Sequence, residues 1–187
     1  MGALATWAAA AMIALVPHGV RRELPGWAET KEQMEARYLA IGEAIEAVAL
    51  ATDTGFSDKR EVALLVALAK EESDFAPDAD VGPCYRGARG GAWWSRCDGG
   101  TSYSAWQVKA YRKSDGTLVT GADLQGDRKA AARRALWLAV GSMNACKKLD
   151  ERDRLSAYVR GTCQAGHAGS SKRIDLWRKV EAWKPKP

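Results

Sequence analysis

A chain of 187 residues, 47% hydrophobic and 27% charged, carries enough apolar surface for one sizeable core, which excludes a disordered chain. A net charge of +5 and a pI near 9.1 suit an anionic partner, yet no dense Lys/Arg run, RNP-type motif or zinc-finger spacing supports nucleic acid. Four cysteines without a Cys-x-x-Cys pair, and His18 and His167 without ligand spacing, argue against a metal site, and nothing in the chain asks for a cofactor.

Residues Ala3 to Val16 form an apolar run too short to span a bilayer as a helix. It has the hydrophobic character of an export signal but lacks a charged leader. A cleaved or uncleaved export signal, a membrane-surface anchor and a helix packed on a partner stay open, and residues 1–29 are set apart from a domain of residues 30–187. Thr30 is placed to cap a helix running to about Ala51, with Met34, Tyr38, Ile41, Ile45 and Val48 at helical spacing. After a turn at Thr52–Ser57 comes a helix from Asp58, opened by Ser57 or Asp58 with Glu61 placed for a capping box. From Ala76 to Tyr103 the periodicity stops and Gly and Pro dominate, with Tyr85, Trp93 and Trp94 between them. Such a loop in a small domain needs a pin or a function. Of three possible cysteine pairings, Cys84–Cys97 closes this loop and Cys146–Cys163 ties a helix to a later loop. A further helix is expected from Arg128 to Lys148, a short one from Asp150 to Tyr158 ended by Gly161, and a last one from Lys172 to Trp183 capped by Ser170 or Ser171.

The helix from Asp58 holds the residue of greatest chemical interest. Projected at about 100° per residue, Val62, Leu64, Leu65, Val66 and Leu68 define an apolar face. Glu72 falls within about 20° of its centre, and Glu71 roughly 120° away. A carboxylate aimed along a core-facing stripe, at the negative end of a helix dipole, has its charged form disfavoured. That is what a general acid near neutral pH requires.

Three segments then line up: Glu72, Ser73, Asp74 and Phe75; Ser104, Ala105, Trp106 and Gln107; and Ala157, Tyr158, Val159, Arg160 and Gly161. In this order they resemble the lytic transglycosylase and goose-type lysozyme branch of the lysozyme superfamily. Its pattern is Glu-Ser-x-Phe at a helix end, Gly-Leu-Met/Trp-Gln, and Ala-Tyr-Asn-x-Gly. The resemblance covers roughly Asp58 to Gly161 and implies a mainly α, lysozyme-like α+β fold with a disulfide-pinned loop or small hairpin beside the cleft. It implies Glu72 as the acid, Ser73 as its orienter or a glycan contact, Gln107 as a partner of the sugar, and Tyr158 with its hydroxyl near the acid. Trp106, with Trp93 or Trp94, would stack on saccharide faces. Two positions depart from the pattern: Ser104 stands where the family has glycine, and Val159 where it has asparagine.

The activity so implied is cleavage of the N-acetylmuramic acid–N-acetylglucosamine bond of peptidoglycan, the glycan strands being the expected partner. A lytic transglycosylase needs only Glu72; a hydrolase needs a second carboxylate roughly 5–9.5 Å away, for which Asp74, Asp78, Asp80 and Asp98 are candidates. A non-catalytic wall-binding or virion protein of the same fold is the alternative from another class. The expected location is periplasmic, extracellular or virion-associated, within a cell-envelope or virion assembly.

Overall fold

The structure, a computed structural model, describes residues 2–20, 24–89, 92–95, 97–98 and 100–185, with backbone only for 86–89 and 92–95. Three long helices lead the chain: α1, Ala3–Leu15; α2, Lys31–Ala49; and α3, Asp58–Ser73. The third forms the centre. Every residue of α3 from Val62 to Ala69 is fully buried, because alanines at 63, 67 and 69 extend the expected apolar face around the whole circumference. A helix apolar on all sides has to be surrounded, and α3 is packed against α1, α2 and two later helices.

The N-terminal apolar run is α1. Ala5, Ala8 and Met12 are buried against α2, and Glu46 of α2 accepts a hydrogen bond from the Leu4 amide at 3.0 Å, satisfying one free donor at the start of α1. The crossing is close enough to need a glycine: a Cβ on Gly42 would sit 2.5 Å from the Ala5 carbonyl oxygen. Helix α2 opens on a capping box, with the Thr30 hydroxyl accepting from the Gln33 amide at 3.2 Å and the Gln33 side chain accepting from the Thr30 amide at 2.8 Å. The expected box at the start of α3 does not form. The helix begins at Asp58 behind Ser57, which puts Glu61 one position too late, and Glu61 turns inward to accept from the Thr54 hydroxyl.

The Gly-rich stretch holds more structure than its periodicity foretells. Pro77 starts a short helix, α4, Pro77–Val81, at the first-turn position where its fixed φ suits a helix. A hairpin follows, β1 Arg86–Arg89 against β2 Ala92–Ser95. Cys84–Cys97 closes the base of this hairpin, and Cys146–Cys163 is the second disulfide. Two further two-stranded antiparallel pairs lie downstream: β3, Ser102–Tyr103, with β4, Val108–Lys109; and β5, Tyr111–Arg112, with β6, Leu118–Val119.

The C-terminal half is helical: α5, Gly121–Gly126; α6, Arg128–Ala145; a 3-10 turn, Glu151–Asp153; α7, Ser156–Arg160; and α8, Ala168–Ala182. The chain is therefore mainly α with three small strand pairs among the described residues. Helix α5 had no foretelling, although Thr120 and Asp123 form its capping box. The single helix expected over Asp150–Tyr158 is split into the 3-10 turn and α7. Helix α8 begins ahead of the expected Lys172 because His167, not Ser170 or Ser171, caps it: its Nδ1 accepts from the Ser170 amide at 3.1 Å. Ser170 is instead buried, its hydroxyl accepting from the Leu155 amide and donating to the Arg152 carbonyl. Asp153 accepts from the Gly166 and His167 amides, fixing the approach to α8.

Candidate active site

The last turn of α3, the β3–β4 turn, α6, α7 and α8 enclose a cavity of about 380 Å³. Its lining includes Glu72, Asp98, Gln107, Arg134, Tyr158 and Arg173. Each of the three motif segments thus contributes to it: Glu72 from the first, Trp106 and Gln107 from the second, and Tyr158 and Val159 from the third.

Glu72 leaves α3 one turn past the fully buried stretch, with its side chain 20% exposed. Arg173 of α8 donates to its Oε1 twice, from Nε at 3.0 Å and from a terminal nitrogen at 2.7 Å. The guanidinium is itself fixed by donating to the Gly169 carbonyl at 2.9 Å. Both contacts fall on one oxygen, so Oε2 has no hydrogen bond among the described residues. Burial pushes the Glu72 carboxyl above its ordinary value, Arg173 opposes the shift, and Glu71 and Asp98 add to it. Desolvation is the larger effect, and the net direction is upward. Tyr158 is carried by α7, whose amide at that residue donates to the Ser142 hydroxyl at 2.9 Å. Burial raises the Tyr158 phenol further above its ordinary range, and the Glu72 charge nearby adds to this. It is a hydrogen-bond donor at any ordinary pH.

Gln107 is held by its own turn. Its Nε2 donates to the Ser104 carbonyl at 2.9 Å and contacts Cys97 Sγ at 3.4 Å. The other three expected substrate contacts are turned into the protein. Ser73 is buried and donates to the Ala69 and Ala105 carbonyls at 3.1 and 2.7 Å, which ties the β3–β4 turn to the end of α3. Ser104 is fully buried, its hydroxyl accepting from the Trp106 amide at 3.3 Å. Trp106 touches the cavity but is 1% exposed, with its indole donating to the Leu65 carbonyl at 2.9 Å. These three build the wall rather than offer faces to a ligand. The side chains of Trp93 and Trp94 lie outside the described residues.

Backbone strain gathers at the same place. Among the described residues the non-glycine positions in the left-handed region are Asp74, Phe75, Asp98, Ser104 and Gln107. All five line the cavity or belong to the segments that present Glu72 and Gln107, each at a cost of about 1–2 kcal/mol. Ser104, at φ 68°, takes a backbone conformation that glycine adopts most readily, and its hydroxyl steadies the turn by accepting from the Trp106 amide.

Of the four loop aspartates, only Asp98 lines the cavity, where it accepts from the Ser102 hydroxyl at 2.8 Å. Asp80 is buried against Arg128 at 2.8 Å, Asp78 accepts from the Tyr85 amide, and Asp74 is ion-paired with Lys70 at 2.6 Å. The cations were the unforeseen part: Lys109, Arg134 and Arg173 all line the cavity. Arg173 had a signal, since it sits at i, i+4 and i+7 spacing with Trp177 and Val180 on the apolar stripe of α8. Searches against protein-family models, curated proteins and solved structures return no match to this chain.

Proposed function

We propose that the chain is a lysozyme-like, peptidoglycan-cleaving enzyme of the lytic transglycosylase type, with Glu72 as general acid and base. The observation that carries this reading is the convergence of Glu72, Gln107 and Tyr158 on one cavity, with the Glu72 carboxyl held above its ordinary pKa. The proton on Oε2 passes to the glycosidic oxygen as the bond to the muramyl C1 breaks. Arg173 on Oε1 then stabilises the carboxylate so formed. That carboxylate takes the proton from the muramyl 6-hydroxyl as this oxygen bonds to C1, giving a 1,6-anhydro end. Tyr158 donates toward the acid, and Gln107, its Nε2 held by the Ser104 carbonyl and Cys97, accepts at Oε1 from the N–H of the sugar's N-acetyl group.

A second reading, hydrolysis, is favoured by one observation: Asp98 lies in the same cavity and acts on the charge of Glu72. The two disulfides support an oxidising, exported location. Among the described residues no helix is long and apolar enough to cross a membrane.

The test is product analysis. Peptidoglycan is incubated with the wild type, Glu72→Gln and Asp98→Asn, and the released muropeptides are read by mass spectrometry. Transglycosylation gives anhydro ends, loses at least about 100-fold in rate with Glu72→Gln, and persists with Asp98→Asn. Reducing ends that vanish with Asp98→Asn establish the hydrolase instead. Full activity in Glu72→Gln would sink both readings.

A further inference from the structure

Arg134 of α6 lines the cavity, and among the described residues no charged group pairs with it. Its guanidinium carbon lies 4.1 Å from the centre of the Tyr111 ring and 5.0 Å from that of Trp137. The two rings hold the planar group in place without using its donors. Its Nε is buried with no hydrogen-bond partner, and among the described residues it makes no ion pair. A buried donor left unsatisfied carries the full cost of its lost hydration. Desolvation accordingly pulls the Arg134 pKa below its ordinary value.

Lys109, at the end of β4 and two residues from Gln107, lines the same cavity and is exposed. It too has no ion-pair partner among the described residues. The remaining charges of the lining are engaged: Arg173 holds Glu72, and Asp98 takes the Ser102 hydroxyl. Among the described residues the cavity therefore carries three cations against two carboxylates. When Glu72 bears the proton that the first step needs, one carboxylate is left, so the excess positive charge is greatest in the form that receives substrate.

We infer that Arg134 and Lys109 form an anion-binding subsite that takes a carboxylate carried on the glycan, which makes the substrate class an acidic, muramyl-containing strand rather than a neutral N-acetylglucosamine polymer. The inference rests on the glycan-cleaving reading of the same cavity. A guanidinium fixed by two rings presents its fork to a planar two-oxygen acceptor, and a flexible ammonium beside it adds charge without demanding geometry. On a muramyl strand that acceptor has two sources: the lactyl carboxylate itself, free where the peptide has been removed, or the carboxylates of the attached peptide.

Binding is measured by calorimetry in the Glu72→Gln background, where cleavage is blocked. The probes are oligomers of equal length: peptide-bearing muramyl strands, strands stripped of peptide by an amidase, and neutral N-acetylglucosamine oligomers. At low salt the acidic strands should bind about tenfold or more tighter than the neutral ones, and added salt should erode that margin. Tighter binding of stripped strands identifies the lactyl carboxylate; tighter binding of peptide-bearing strands identifies the peptide. Lys109→Met, at an exposed position, should narrow the margin. Arg134→Met with Lys109→Met should abolish it while affinity for the neutral oligomer is unchanged, which shows the cleft intact. Arg134→Lys should keep part of the margin. Equal affinity for acidic and neutral oligomers, or a margin that survives the double substitution, overturns the subsite and leaves the cleavage reading standing. Absence of binding to all three probes overturns the glycan reading and the subsite with it.

Discussion

Two opposing influences act on the Glu72 carboxyl, and Arg173 is the adjustable one. Burial disfavours the charged form; the guanidinium, 2.7 Å from Oε1, favours it. Replacing Arg173 with Met keeps much of the side chain's bulk and removes the opposing influence, so the Glu72 pKa should rise further above the ordinary 4.5. The acid must start protonated, so activity falls as pH rises through this pKa, and in Arg173→Met that fall should move to higher pH. Linkage gives an independent readout. A carboxyl whose folded pKa exceeds its unfolded value contributes stability below the unfolded value, and that contribution is lost as pH rises through the folded one. Arg173→Met should thus lose more stability at pH 7 than at pH 4, by roughly 1–3 kcal/mol, in denaturant titrations at the two pH values. An unmoved activity limb, with stability lost equally at both, would reduce Arg173 to a packing residue. The same linkage applies to Glu61, whose carboxyl burial also raises.

Between helices, the α1–α2 crossing is where a single atom decides the packing. Gly42→Ala would drive a methyl into the Ala5 backbone at 2.5 Å, and backbone cannot move aside as a long side chain can. Forcing the crossing apart should cost about 1–3 kcal/mol in denaturant unfolding. Gly141 in the middle of α6 is the control, since a Cβ there meets nothing within 4 Å; Gly141→Ala should be neutral or stabilise by up to about 1 kcal/mol. Comparable effects at both sites would mean that helix propensity, and not the crossing, governs Gly42. The long helices were legible in the sequence because periodicity and caps agree: Thr30 opens α2 as read, and α6 starts at the expected Arg128, capped by Asp127. Short elements were not, since α4 and α5 are too brief to show a period and declare themselves only through Pro77 and the Thr120–Asp123 box. At the site, angular position picked Glu72 over Glu71, but the direction in which a small hydroxyl points is set by tertiary contacts. Ser73 and Ser104 accordingly turned out to brace the wall. The distant cations Arg134 and Arg173 reach the cavity through helix packing; the stripe of α8 marks Arg173 as inward-facing, but no local pattern names the carboxylate it meets.

Across the whole molecule each of the two disulfides adjoins an element that lines the cavity, which ties stability to the shape of the site. Cys97 touches the Gln107 amide at 3.4 Å, so Cys84–Cys97 supports the turn that presents Gln107. Cys146 ends α6 and contacts the Ser156 hydroxyl at the start of α7 at 3.8 Å, so Cys146–Cys163 supports the helix carrying Tyr158. The bridged residues are 13 and 17 positions apart, and cross-links closing loops of this size stabilise by about 3 kcal/mol each through the unfolded state. For a chain of this length that corresponds to roughly 6–12 °C in Tm per bridge. Replacing both cysteines of one pair with serine should lower Tm by that amount, and thiol counting on the denatured wild type should find no free cysteine. If the cavity is shaped as argued, the Cys84–Cys97 variant should also lose affinity for glycan at a temperature where circular dichroism shows it fully folded. The opposite outcome, a lower Tm with unchanged glycan affinity, would confine that bridge to stability and leave the Gln107 turn held by the Ser73–Ala105 and Trp106–Leu65 hydrogen bonds.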